Sequence, residues 1–271
     1  MPSASELLLP EGTTIQVEDV WIRYRTAYDR QTLRGAYLKL SRKRREETAQ
    51  RGVRIIEAVK GVSFDVTQGT VLGLVGSNGA GKSTLMRAMA GILPPSSGRI
   101  VVNGRVSTLL ALGVGFNGAL TGRENVVLGG LAAGLTVDQV EEKFEEIAAF
   151  ADLPDGFIDM PMKTYSSGMY GRLAFAVSVN MEPDILLVDE ALSTGDAAFK
   201  EKSMDKMREL VGEARTIVIV SHALGTIQEL CNRVVWLHKG EVVQTGDPVE
   251  VTEAYMKFLK IGESAIALED V

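Results

Sequence analysis

The chain contains a single cysteine, Cys231, among its 271 residues. One cysteine cannot close an intramolecular disulfide, so the composition favours a reducing compartment such as the cytosol. Basic residues are also outnumbered, with 29 Lys and Arg against 35 Asp and Glu and a formal net charge of -6. Because binding to a phosphate backbone requires a basic face, this acidic chain is not expected to have a nucleic-acid partner.

Long apolar runs are absent as well. The longest stretch, Val126 to Val137, has 12 residues and includes three glycines, whereas a transmembrane helix needs about 20 apolar residues. The N-terminus, MPSASELLLPEG, has neither a basic start nor a long apolar middle, so it is not expected to be a signal peptide. We therefore expect a protein that is made in the cytosol and does not itself cross a membrane.

Strand-like and helix-like segments alternate along the chain, which predicts an α/β fold with a mainly parallel central sheet. Short, unbroken apolar runs typical of strands covered on both faces occur at Thr70–Val75, Ile185–Val188 and Thr216–Val220. Near the end, 233–238 and 241–245 flank a two-residue turn and predict a peripheral hairpin.

Residues 114–181 predict a mostly helical subdomain inserted into this pattern. Within it, Thr136 and Gln139 form a capping-box sequence that predicts a helix extending to about Phe150. The two ends of the chain lack apolar periodicity. We therefore expect a flexible N-terminus over residues 1–12, one folded domain over 13–258 and a C-terminal tail over 259–271.

The segment 30–51 is rich in Arg and Lys and contains only two acidic residues, Glu46 and Glu47. Leu33, Tyr37 and Leu40 recur at helical spacing, which indicates a basic helix with one apolar face. Two interpretations remain open. The helix is either an ordinary solvated surface helix or one that lies against a membrane surface or a membrane partner.

A phosphate-binding loop follows the first of the apolar strands. Its sequence matches G-x-x-x-x-G-K-[ST], and a helical run, 84–90, comes directly after it. The glycines allow backbone N–H groups to approach phosphate oxygens, and the helix start adds its positive end. Lys82 is predicted to reach the β- and γ-phosphates and Ser83 to hold Mg²⁺. The predicted nucleotide-binding residues of this loop are Gly76, Ser77, Asn78, Gly79, Ala80, Gly81, Lys82, Ser83 and Thr84.

Two adjacent acids, Asp189 and Glu190, end the apolar strand 185–188. In a chain with a phosphate-binding loop, Asp189 is predicted to bind Mg²⁺ and Glu190 to polarise the attacking water. General-base assistance of this kind contributes about 10²–10⁴ in rate. His222 comes just after the strand 216–220, at the edge of a parallel sheet where ligands bind, and is predicted to contact the γ-phosphate. The other histidine, His238, is interpreted as an ordinary polar residue of the hairpin.

The stretch Tyr165-Ser166-Ser167-Gly168-Met169 predicts a second helix start that can bind an anion. Taken alone, it is equally consistent with an ordinary helix capped by a serine. In order and spacing, however, the motifs of the chain resemble those of the ATP-binding-cassette (ABC) ATPases over roughly residues 13–258. The matching motifs are the Walker A loop (76–83), the signature (Ser166, Ser167, Gly168), the Walker B strand (185–190), the D-loop (Ser193–Asp196) and the switch histidine (His222).

This resemblance implies a P-loop ABC ATPase domain with a mainly parallel core sheet, an N-terminal antiparallel β part and an inserted helical subdomain. It implies that ATP and Mg²⁺ bind, and that two copies of the chain pack head to tail. The signature of one copy then closes over the ATP held by the other. An aromatic residue near the first strand stacks on adenine in this family, and Tyr24 is the predicted residue, with Tyr28 next. Members of this family also have a Gln in the loop that joins the ATP site to the membrane subunit. The equivalent segment here, 111–117, offers no Gln, so the residue with this role is unassigned.

The form Y-S-S-G-M, in place of the common L-S-G-G-Q, is similar to the ABC subfamily that exports polysaccharides and teichoic acids. Thr121-Gly122-Arg123-Glu124-Asn125 and the long insertion containing 30–51 are similar to that subfamily too. The resemblance implies an ATPase at the cytoplasmic face of the membrane, bound through an integral-membrane permease that carries a lipid-linked glycan. Residues 30–51 would be a gate-like helix, and a helix over Val114–Gly134 would dock on the permease.

Two other functions remain open from the sequence. One is a soluble ABC ATPase of translation or DNA maintenance, although the chain has one phosphate-binding loop and no sustained heptads. The other is a P-loop kinase, which leaves the signature stretch and His222 unexplained. We also expect no C-terminal carbohydrate-binding domain, and hence no recognition of the glycan by this subunit, because few residues follow 258.

Overall fold

The computed structural model describes residues 9–28, 52–109, 116–189, 196–213 and 215–269. The basic segment 30–51, the loop 111–115, Glu190 and most of the D-loop lie outside these ranges. The strands are β1 (Thr13–Tyr28), β2 (Gly52–Thr67), β3 (Val71–Val75), β4 (Ser97–Val102), β5 (Val106–Thr108), β6 (Ile185–Asp189), β7 (Thr216–Val220), β8 (Arg233–His238) and β9 (Glu241–Gly246). The helices are α1 (Lys82–Met89), α2 (Gly122–Ala132), α3 (Val137–Ala151), α4 (Ser167–Asn180), α5 (Ala197–Gly212), α6 (Leu224–Leu230) and α7 (Pro248–Glu269).

Two sheets form the body of the fold. The N-terminal sheet is antiparallel, in the order β2-β1-β4, and the central sheet has the order β5-β6-β7-β3-β8-β9. All neighbours in the central sheet are parallel except the hairpin β8–β9. The predicted α/β class, the antiparallel N-terminal part, the hairpin and the three apolar strands are confirmed, and no predicted end of these strands is wrong by more than one residue.

The central strands are buried on both faces, which explains their unbroken apolar sequences. Leu72 and Leu74 of β3 belong to an apolar cluster that includes α1 and the antiparallel sheet. The neighbouring residues Val71 and Val75 point the other way, into a cluster that includes parts of α4, α5, α6 and α7. Alternation along the strand therefore places one helical layer on one face of the sheet, and α1 with the second sheet on the other.

The helical subdomain consists of α2, α3 and α4, which pack around a third apolar cluster. The capping box at Thr136 and Gln139 is present, and α3 ends at Ala151. The prediction of a helix over Val114–Gly134 was wrong at its start, because α2 begins at Gly122. There, Thr121 and Glu124 form a second capping box, which satisfies first-turn N–H groups at that point.

The predicted boundary at residue 258 falls inside α7, which continues without a break to Glu269. The segment predicted as a C-terminal tail, 259–271, is thus helical as far as Glu269. Val251 and Tyr255 fix the first part of α7 against the core, and Tyr255 lies 5.5 Å from Trp236 between ring centres. Once a helix is nucleated by packing, propagation through residues such as those after 258 costs little. No helix in the described ranges is both long and apolar enough for a bilayer span.

Candidate nucleotide-binding site

Three neighbouring strand ends converge at one edge of the central sheet. Strand β7 lies between β6 and β3, and all three run parallel. Their carboxyl ends therefore carry Asp189, His222 and the loop 76–81 to the same edge. In open parallel sheets, this is the edge at which ligands bind.

The loop after β3 is shaped by contacts that admit no side chain at Gly76 or Gly81. Both residues have positive φ, +147° and +104°. A Cβ at Gly76 would lie 2.2 Å from the carbonyl oxygen of Leu237, and one at Gly81 would lie 2.4 Å from that of Ala58. The loop thus packs directly against the backbones of β8 and β2, and only glycine fits at these two positions.

The side chain of Lys82 crosses the loop and binds to its backbone. Its ammonium donates hydrogen bonds to the carbonyl oxygens of Gly76 at 2.7 Å and Ser77 at 3.2 Å, and the residue is 7% exposed. The positive charge is therefore held across the loop, close to where its backbone turns. A buried, preorganised ammonium in such a position binds phosphate without a large ordering cost.

A pocket of about 150 Å³ lies against the loop. The N-terminus of α1 opens on it, and no side chain caps this helix. Since the first N–H groups of a helix have no acceptor within the helix, they are available to an anion here. The residues that line the pocket are Asn78, Gly79, Ala80, Gly81, Lys82, Ser83, Thr84 and His222. The structure therefore brings most of the predicted loop residues and His222 together.

Candidate ligands for a metal ion are sparse in the described residues, where no cluster of three or more His, Cys, Asp or Glu side chains could hold one. Ser83 lies in the first turn of α1. Asp189 ends β6, where it is partly buried and pairs with Val220. A hydroxyl and a carboxylate are hard oxygen ligands, and Mg²⁺ is commonly held by one or two carboxylates together with substrate phosphates. These two residues fit Mg²⁺ that arrives with a nucleotide. Glu190 lies outside the described residues.

Tyr24 lies on the face of the antiparallel sheet that is directed towards the loop. It is paired with Ile56 and shares this face with Ile22, whose neighbour across the strands is Val59. A methyl group of Val59 lies 3.5 Å from the position of a Cβ at Gly81. Tyr24 does not line the pocket itself, and its role in stacking on adenine stays a prediction. The side chain of Tyr28 is outside the description.

The predicted signature forms an exposed turn at the start of α4. Ser166 is the N-cap, and its hydroxyl accepts a hydrogen bond from the N–H of Met169 at 3.2 Å. Ser167 is also exposed and Gly168 is partly so. None of the three lines the loop pocket. Within the described part of one chain, the two helix starts are therefore separate.

Asp196 is the N-cap of α5 and is used inside the chain. Its carboxylate accepts a hydrogen bond from the N–H of Phe199 at 2.9 Å and pairs with the guanidinium of Arg172. The hydrogen bond from Phe199 and the charge of Arg172 lower the pKa of Asp196. Arg172 also donates to the carbonyl oxygen of Asp152 at 3.0 Å. Sequence reasoning missed Arg172, although its position in the second turn of α4 was a usable signal.

Comparisons with known proteins show which family this chain resembles. The sequence profile of the family described as ABC transporter matches residues 59–193. Over 245 residues the chain is 41% identical to RfbB, the O-antigen export system ATP-binding protein of Myxococcus xanthus. This alignment covers 89% of the chain and 56% of RfbB. Over 203 residues the chain is 47% identical to TagH, the teichoic acids export ATP-binding protein of Listeria monocytogenes. This alignment covers 75% of the chain and 60% of TagH. The chain thus spans less than two thirds of the length of these relatives.

A solved structure has the same fold. It is an ATP-binding cassette in a dimeric, post-hydrolysis state bound to ADP and Pi, with a TM-score of 0.68 and 20% identity, and it covers 86% of this chain and 98% of its own. At that identity the likeness concerns the fold alone.

Proposed function

The chain belongs to the ABC transporter family, and from this premise we propose that it is the ATP-hydrolysing subunit of an exporter. The proposed cargo is a lipid-linked polysaccharide, which a separate integral-membrane permease carries across the cytoplasmic membrane. The names of RfbB and TagH support this class of cargo. The class includes O-antigen, capsule, galactan and teichoic acid polymers.

The observation that carries the proposal is the pocket shared by the glycine loop, the start of α1 and His222. The N–H groups of the loop and of the first helical turn would bind the phosphates of ATP, and Lys82 would offset the charge of the β- and γ-phosphates. Phosphoryl transfer depends mainly on such positioning and charge stabilisation. Tyr24 would stack on the adenine, an interaction worth about 1–3 kcal/mol.

Four further residues have proposed roles in hydrolysis. Glu190 would polarise the attacking water, and His222 would contact the γ-phosphate. Ser83 and Asp189 would hold Mg²⁺, which neutralises phosphate charge when it is bound. In this proposal the protein takes little covalent part in the reaction and contributes mainly a preorganised site.

A second copy of the chain is the proposed partner at the nucleotide. The exposed turn 166–168 presents two hydroxyl groups and a helix start, and within the described chain it does not line the loop pocket. In a head-to-tail dimer, this turn would close over the nucleotide held by the other copy. The dimeric state of the solved cassette supports this arrangement.

The proposed contact with the permease lies on the helical subdomain. Helix α2 exposes Leu128 (36%) and Leu131 (45%), and the loop 116–121 precedes it. Exposed apolar side chains of this kind on one helix suit a protein partner. The subunit would then sit at the cytoplasmic face of the membrane, held through its permease. The gate-like role of 30–51 stays a prediction.

Phosphate release by the purified chain tests the catalytic part of the proposal. We expect ATP hydrolysis whose specific rate rises with protein concentration, because two copies form the site. Glu190→Gln should keep ATP binding and nearly abolish hydrolysis. A specific rate that is independent of concentration, or full activity in Glu190→Gln, would contradict the proposal.

Export in cells tests the physiological part. Deletion of the gene should cause lipid-linked polysaccharide to accumulate inside the cell, and the wild-type chain, but not Glu190→Gln, should restore export. The soluble alternative, an ABC ATPase of translation or DNA maintenance, is not favoured, because the relatives above are named export proteins. Association with ribosomes or DNA, and absence from membrane fractions, would favour it instead.

A further inference from the structure

We propose that Tyr165 is a positioning residue for the signature turn, and that its hydroxyl, lodged between the Phe157 carbonyl and Gly122, sets where Ser166 is presented. Tyr165 would then control the rate of turnover and leave the affinity of the loop for nucleotide unchanged. This inference rests on the proposed function, because it requires the signature turn to act on nucleotide held by a second copy.

The hydroxyl of Tyr165 is held by a direct polar contact. It donates a hydrogen bond of 2.6 Å to the carbonyl oxygen of Phe157, and the two rings meet edge to face at 6.2 Å. Burial raises the pKa of Tyr165, with a further contribution from the charge of Asp159. The phenol is therefore neutral at pH 7 and remains a hydrogen-bond donor.

Gly122 at the start of α2 makes room for this hydroxyl. A Cβ at Gly122 would lie 2.2 Å from the phenol oxygen of Tyr165 and 2.9 Å from the carbonyl oxygen of Ile158. Glycine is a poor helix former, and Gly122 has no positive φ that would require it. The close approach of the Tyr165 hydroxyl is the physical reason for a glycine here.

Backbone hydrogen bonds join the same two segments. The N–H of Met162 donates to the carbonyl oxygen of Leu120, and that of Lys163 donates to the carbonyl oxygen of Gly118, both at 2.8 Å. Gly122 in turn donates to the carbonyl oxygen of Met160 at 3.3 Å. The loop before α2 and the segment before the signature thus form one hydrogen-bonded unit.

Tyr165 is the last long-range anchor of that unit before the signature turn. Ser166 and Ser167 are exposed, and a Cβ at Gly168 would find no neighbour nearer than the Ser166 hydroxyl at 3.8 Å. The direction in which Ser166 leaves the unit is therefore set by Tyr165 at its N-terminal side. The same unit contains the loop 116–121 that we propose to dock on the permease. Tyr165 therefore lies between the proposed docking surface and the signature turn.

The test compares Tyr165→Phe with the wild-type chain, using Tyr255→Phe as the matched control. Tyr255 is a buried tyrosine on α7, against Trp236. Tyr165→Phe keeps the ring contact and removes one partly buried hydrogen bond, so we expect kcat to fall about 2- to 10-fold. The KM for ATP and the equilibrium affinity for ATP should change by less than about 2-fold. Tyr255→Phe should leave kcat unchanged.

A second variant pair approaches the same contact from the other side. Gly122→Ala pushes a methyl group into the Tyr165 hydroxyl and should lower kcat more than Tyr165→Phe does. The double variant should lose less than the product of the two single losses, because the phenol oxygen is no longer there to collide. Gly212→Ala, at a helical position with open space, is its control. If Gly122→Ala does not fold, Tyr165→Phe carries the test alone.

The outcomes separate this inference from the proposed function. An unchanged kcat in Tyr165→Phe, an ATP affinity that falls in step with kcat, or an equal loss in Tyr255→Phe overturns the positioning role while the wild-type ATPase stands. A wild-type chain with no ATPase activity overturns the proposed function itself. Thermal unfolding of each variant shows whether its rate was measured on folded protein.

Discussion

The two helix starts of this chain are built in opposite ways. The loop before α1 packs against the backbones of β2 and β8. Its lysine, Lys82, is buried and donates hydrogen bonds to backbone carbonyl oxygens of the loop. The turn before α4 is exposed and is held by two side chains, the Ser166 cap and the Tyr165 hydroxyl. A loop with its charge and N–H groups already in place can bind phosphate within one chain. A turn that leaves its hydroxyl groups in solvent is suited to a ligand that comes from outside the chain.

Glycine has a different meaning in the two places. At Gly76 and Gly81 a side chain would collide with a carbonyl oxygen, so glycine is a condition of folding. At Gly168 a methyl group would have space, so the fold does not require glycine. If Gly168 is required for turnover, the reason must be the close approach of a ligand.

The largest effect is expected for Lys82→Ala. It removes the ammonium that is held across the loop, and ATP turnover should fall by about 100-fold or more, the scale on which one preorganised charge contact contributes. Phosphate release measures the loss, and Lys257→Ala, on the exposed side of α7, serves as the control. Retained turnover would show that the loop is not the nucleotide site.

A pair of glycine variants tests the contrast directly. Gly76→Ala combines positive φ with a collision and should destabilise the fold by about 2–4 kcal/mol. Gly168→Ala should change the free energy of unfolding by less than about 0.5 kcal/mol, yet lower turnover. Urea unfolding and phosphate release are measured on both variants. Equal destabilisation by the two substitutions would remove the distinction between the loops.

Substitutions of Ser166 separate capping from catalysis. Ser166→Ala removes the cap and should cost about 1 kcal/mol of stability, whereas Ser166→Asp keeps a capping side chain. Both should lower turnover, and Ser166→Asp more so, because its carboxylate repels phosphate at the same helix start. ATP binding to the isolated chain should be unaffected. A stable Ser166→Asp variant with normal turnover would exclude a phosphate contact at this turn.

The smallest effect concerns Asp196, whose pKa is lowered in the folded chain. A carboxyl group of this kind stabilises the fold at pH values above its unfolded pKa of about 3.9, and this stabilisation is lost as the pH falls through the lower folded value. Asp196→Asn keeps the cap but not the charge. Its Tm should be slightly below that of the wild type at pH 7, and the difference should shrink as the pH falls below about 4 and vanish once the pH is below the folded pKa of Asp196. A constant difference would assign the loss to capping alone.

Local patterns predicted much of the fold. The apolar runs that became β3, β6 and β7 were readable because strands covered on both faces need no polar alternation. The cap at Thr136 was readable because a capping box is defined by residues three apart. The start of α2 was missed although Thr121 and Glu124 have the same spacing, because the helix over Val114–Gly134 was taken from the family resemblance and not from this local signal. The end of α7 was missed because its last turns depend on packing earlier in the helix.

The candidate site divides along the same line. Residue types and short spacings by themselves determined the glycine-rich loop, the capped turn at Ser166, and the acid and histidine at strand ends, because N–H groups, charges and caps act over a few residues. Tertiary structure alone decided that His222 lines the loop pocket, that Arg172 pairs with Asp196, and that Tyr165 needs a glycine at position 122. These partners are distant in the chain and meet only when the sheet order and the packing of the helices bring them together.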